Sequence, residues 1–119
     1  MKKVLLVALL FAASSYAGVY SDLAKAKFEN EMSQAINLTD MSDAKKQSAI
    51  ANLPSAEKTL RNVAREGIKA KKSCLKIKKD FMSDQRQKMK GEQWKDEDFS
   101  ATALSAMGDY IATVCLDMR

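Results

Sequence analysis

Apolar residues recur at steps of three and four through most of this chain, the spacing that lines one side of an α-helix. Leu23, Ala24, Phe28, Met32, Ala35 and Ile36 share one side of a first helix, expected from about Tyr20 to Asn37. Thr39, Asp40 and Ser42 are capping types and open a short second segment. That segment ends at Leu53, because Pro54 disfavours helical backbone in the residue before it, and its stripe of Met41, Ala44, Ser48 and Ala51 is thin.

The next pattern is sustained. Ser55 serves as N-cap and Glu57 sits in the first turn, at the positive end of the helix dipole. Leu60, Val63, Gly67, Ala70, Cys74, Ile77 and Phe81 then alternate steps of three and four, the seam of a helix packed along its length, and Ala64, Ile68, Leu75, Met82 and Met89 widen it. Lys88, Lys90 and Gly91 are helix-ending residues, so the pattern predicts one helix from Ser55 to Lys90, on the order of 50 Å long. A polar loop from Gly91 to Glu97 contains Trp94. Asp98 or Ser100 caps a last helix, whose stripe is Leu104, Met107, Ile111, Val114 and Met118 with Phe99, Ala103 and Tyr110 beside it.

The N-terminus follows a different pattern. Lys2 and Lys3 precede ten apolar residues, Val4 to Ala13, and Ser15-Tyr16-Ala17 places small residues at −3 and −1 of a cleavage site, the layout of a secretory signal. The run is shorter than the roughly 20 residues a bilayer span needs. Residues 1–17 are therefore expected to be a cleaved signal peptide and residues 18–119 a single helical domain with no transmembrane segment. The expected compartment is the bacterial periplasm, with secretion as the second choice.

Export makes the only two cysteines, Cys74 and Cys115, candidates for a disulfide. Cys74 lies 17 residues before Gly91 and Cys115 lies 17 after Asp98. Two antiparallel helices folded about that loop bring the sulfurs level, and the same register sets Leu75 beside Val114 and Met82 beside Met107. The predicted fold is thus all-α, a small bundle of three to four helices built on a long antiparallel hairpin stapled by one disulfide.

Charge is unevenly distributed. Lys58 to Lys90 holds 12 basic residues against Glu66, Asp80 and Asp84, whereas the rest of the expected mature chain holds six bases and 12 acids. Arg65, Lys69, Lys72, Lys76, Lys79, Arg86 and Lys90 repeat two positions after the apolar seam, on the opposite side of the expected long helix. They form a candidate ridge of about 40 Å for an anionic partner, broadened by Lys71, Lys78 and Lys88. The plain alternative is a solvated helix face. Export removes intracellular nucleic acid as that partner, and the helix lacks the interleaved aromatics that stack on single strands.

The chemical inventory is narrow. The chain has no histidine, which removes the usual general base, imidazole metal ligands and the Ser-His-Asp constellation. No phosphate-binding loop or calcium-loop motif is found. Asp96, Glu97 and Asp98 fit a helix-start device, and Ser73 beside Lys72 has no mutual geometry as a catalytic pair. Met32, Met41, Met82, Met89, Met107 and Met118 fall mostly on apolar stripes, as core filling. No catalytic residue, metal or cofactor is expected. The function expected is a non-enzymatic exported interaction module, an adaptor or accessory subunit with a protein partner. The alternative is a chaperone-like or anionic envelope-surface binder that uses the basic helix face.

Overall fold

The computed structural model describes residues 18–91 and 97–119, and over these the protein is all-α. In chain order the helices are α1 (Val19–Asn37), α2 (Asp43–Ala51), α3 (Leu53–Lys69), α4 (Cys74–Gly91) and α5 (Glu97–Met118). The expected signal peptide, Trp94 and Asp96 lie outside the described residues. α5 is the centre of the bundle, packed against α1, α3 and α4. Phe28, Leu60, Ala64, Ile77, Ile111 and Val114 close the core around it. Phe99–Met118 has the length and apolarity of a membrane span, at a mean hydropathy of 1.2, but half of that stretch is buried inside the bundle. Its composition is what a helix with three helical neighbours needs.

α1 buries Ala24, Phe28, Met32, Ala35 and Ile36, as its spacing predicts. Leu23 is the exception and stays exposed. Gly18 offers no side chain to cap α1, and the opposite end of the chain supplies one: Asp117 Oδ2 accepts the Ser21 amide at 2.5 Å. Burial pushes the Asp117 carboxyl up, but hydrogen bonds from the Ser21 side chain and then from the amides of Ser21, Tyr20 and Gly18 outweigh it and hold its pKa below the ordinary aspartate value. This contact fixes α1 antiparallel to α5. At the other end of α1, Thr39 Oγ1 donates to Ile36 O at 2.6 Å.

Ser42 caps α2 by accepting from Lys45 N at 3.3 Å. Asn52 then ends α2 and begins α3 with no loop between them. Pro54 sits in the first turn of α3, where an amide has no intrahelical acceptor to lose. The start expected at Ser55 is thus corrected to Leu53. Glu57 consequently lies on the inward row Leu53, Glu57, Leu60 and Ala64, all buried, and does not cap the helix.

The single helix expected from Ser55 to Lys90 is two helices. α3 stops at Lys69, where Lys72 N donates to Gly67 O at 3.0 Å and Lys71 N to Ile68 O at 2.9 Å, the paired bonds of a Schellman ending. Lys71 takes the left-handed position that ending requires, at φ 62°. Ser73 then caps α4 by accepting from Lys76 N at 3.1 Å. Glycine at 71 avoids the side-chain clash of left-handed backbone. Lys71→Gly is expected to raise the unfolding free energy by about 1 kcal/mol, and a urea titration showing no gain would contradict a folded state built on this turn.

The break lets α4 lie against both α3 and α5. A Cβ on Gly67 would overlap the side chain of Ile77, so this glycine sets how closely α3 and α4 meet. Gly108 plays the same part between α5 and α4, with the Met82 sulfur 2.8 Å from where a Cβ would stand. The staple is present: Cys74 and Cys115 are disulfide-bonded with their Cα atoms 5.7 Å apart. Near it the register agrees with the spacing, while Met82 meets Gly108, one residue on from the expected Met107. Leu75, expected beside Val114, is exposed whereas Val114 is fully buried.

Candidate functional site

Because α3 and α4 diverge from a tight turn, they leave a wedge between them. The resulting groove of about 630 Å³ is lined by Val63, Gly67 and Ala70 from α3 and its end and by Ile77 and Phe81 from α4. Asn62 and Glu66 line it on the α3 side and Asp80, Asp84, Gln85 and Lys88 on the α4 side, with Lys72 at the turn. Val63 and Phe81 are only partly covered by the protein's own core. An apolar lining bordered by alternating charges is the geometry that accepts one face of an amphipathic segment.

The basic residues are redistributed by the same break. Arg65 Nη1 donates to Asn62 Oδ1 at 3.0 Å, and Lys69 Nζ pairs with Glu66 at 3.4 Å, both within α3. Lys72 and Lys76 grip the two oxygens of Asp80 at 3.0 and 2.8 Å. Their hydrogen bonds hold the Asp80 carboxyl below the ordinary aspartate pKa. The continuous ridge is thus corrected to two groups, one on each side of the turn. Four of its members spend their charge or hydrogen bonds locally. Lys79 and Arg86 are exposed on α4 and form no ion pair among the described residues. Lys90 falls in the last turn of α4, with its side chain outside the described part. Of the flanking lysines, Lys78 reaches Asp109 of α5 at 2.8 Å and Lys88 reaches Asp84 at 3.2 Å.

A second cluster went unread in the sequence. Glu57 is 2 % exposed, and its Oε1 has no hydrogen-bond partner among the described residues. Burial first, and then the facing carboxyl of Glu29 on α1, raise its pKa to about 7, against the pull of Lys25 and Arg61. Arg61 Nη1 also donates to the Tyr110 hydroxyl at 2.9 Å. The Tyr110 ring is tilted against Phe28, with centroids 5.2 Å apart. Tyr110, expected beside the stripe of the last helix, is therefore a core residue with its polar end satisfied. The signal for Glu57 was available: it occupies an apolar position, four residues after Leu53 and three before Leu60. Enclosed as it is, this carboxyl bears on folding.

Fold and groove together define a small disulfide-stapled helical bundle with an amphipathic cleft. No family model matches the chain, and no curated protein or solved structure matches it either.

Proposed function

We propose that this protein is a non-enzymatic helical interaction module, an adaptor or accessory subunit of the bacterial periplasm, and that it seats an amphipathic helix of one protein partner between α3 and α4. The groove carries this reading. Val63 and Phe81, both only partly covered, give the apolar contact, and the charges of Glu66, Asp84 and Lys88 give the bordering groups that select a partner by complementary sign. The disulfide supports an oxidising compartment. Export itself rests on the pattern of Lys2 to Ala17.

A photo-reactive side chain placed at Asn62 or Gln85 in the exporting cell tests the reading. One dominant protein adduct is expected, absent when the probe stands at exposed Ala101 and lost on Val63→Glu. A ladder of many adducts would favour a chaperone that holds unfolded clients, and no adduct from either position would overturn the groove as the contact.

A further inference from the structure

Among the described residues five large apolar side chains are notably exposed, and four of them share one place. The ion pairs of Asp109 mark that place. Asp109 on α5 binds Lys78 of α4 at 2.8 Å and Lys27 of α1 at 3.8 Å, so these three residues lie on the side of α5 that runs between α1 and α4. Helical repetition then locates the others, since residues three, four or seven apart fall on one side of a helix. Leu116 follows Asp109 by seven, Leu23 and Tyr20 precede Lys27 by four and seven, and Leu75 precedes Lys78 by three. All four lie on the disulfide side of the Asp109 pairs, at the end where Ser21 meets Asp117 and Cys74 meets Cys115. They are 59 % (Leu23), 58 % (Leu75), 51 % (Leu116) and 46 % (Tyr20) exposed. Single exposed leucines are ordinary; a group drawn from three helices onto one end of one face marks a contact surface.

The surrounding charge identifies what the surface fits. Lys79 and Arg86 follow Leu75 by four and eleven residues on the same side of α4. Neither has an ion-pair partner among the described residues, while Asp109 is already matched by two lysines. The geometry points to an anionic lipid surface as the occupant: Leu23, Leu75 and Leu116 enter the acyl boundary, Tyr20 lies at headgroup level, and Lys79 and Arg86 meet lipid phosphates. This face is distinct from the α3–α4 groove, so lipid binding and partner binding fail or hold independently.

Co-sedimentation of the protein isolated from exporting cells, at low ionic strength, tests this. The vesicles are phosphatidylcholine alone or phosphatidylcholine mixed with phosphatidylglycerol. Binding is expected to the mixed vesicles only and to weaken as salt rises. Leu23→Ser combined with Leu116→Ser should weaken it at least tenfold, as should Lys79→Glu combined with Arg86→Glu. These side chains are exposed, and an unchanged thermal melt of each variant confirms that the fold is intact. Four results would overturn the inference: no binding to mixed vesicles, equal binding to neutral ones, binding that survives the leucine changes, or a dimer of the wild type that those changes dissociate.

Discussion

Replacing Cys74 and Cys115 together by alanine is expected to lower the unfolding free energy by about 4 kcal/mol, from the entropy that a crosslink spanning 41 residues removes from the unfolded chain. Against a total of roughly 5–15 kcal/mol for a domain, that is a large share, equivalent to a fall in melting midpoint on the order of 20 °C. The loss should also be local. Ile77 is the one residue of α4 that is fully buried among the described side chains, so α4 depends on the staple more than its neighbours do. Hydrogen exchange should show the α4 amides losing protection before those of α1 and α5. A thermal melt followed by circular dichroism, with and without reductant, checks the first part. Midpoints that coincide would mean that the crosslink adds nothing to the bundle.

The second large effect belongs to Glu57. Its folded pKa of about 7 stands above the ordinary 4.5, so between these values the folded protein holds a proton that the unfolded chain has released. The contribution is whole below pH 4.5 and is lost as pH rises through about 7, a difference of about 3 kcal/mol when complete. Asp80 and Asp117 act in the opposite sense. Their lowered pKa values give stability that is present above the unfolded value of 3.8 and lost as pH falls. Glu57→Gln keeps the shape and cannot ionise. At about pH 8 it should be more stable than the wild type by 2–3 kcal/mol, on the order of 10 °C in midpoint, while near pH 4.5 the two should converge. Parallel melting curves across that range would show that the Glu57 carboxyl does not titrate on folding.

Periodicity revealed the parts of the fold in which one face of a helix meets one partner. The α1 stripe from Ala24 to Ile36 was legible for this reason, as was the pairing of Cys74 with Cys115, since the export expected from the N-terminal pattern and equal spacing from the turn both favoured it. Two elements were hidden by the same rule. The apolar seam runs without a gap across Ala70 to Cys74, so spacing alone continues the helix there. The left-handed residue that ends α3 is Lys71, where glycine or asparagine is the usual sign. The exposed leucines were hidden for a different reason. Leu23 and Leu75 stand at core-like intervals, but α1, α4 and α5 leave the outer side of α5 open. Whether a stripe is covered depends on which helices become neighbours, and spacing does not contain that information. In the groove, the residue types were visible, yet its existence depends on the turn at Lys71, which splits the basic ridge in the same stroke.

That turn and the disulfide lie almost on top of each other, with Lys71 three residues before Cys74. α4 is therefore hinged and bolted at one end, a lever of about 25 Å at 1.5 Å per residue. Rotation about a pinned base moves a point in proportion to its distance from the pin. Along the lever the hold thins: Ile77 rests on Gly67 near the pin, Met82 meets Gly108 halfway, and Asp84 and Lys88 towards the far end are exposed. For the amphipathic helix proposed as guest, reducing that one bond would loosen the seat without altering any residue that lines the groove.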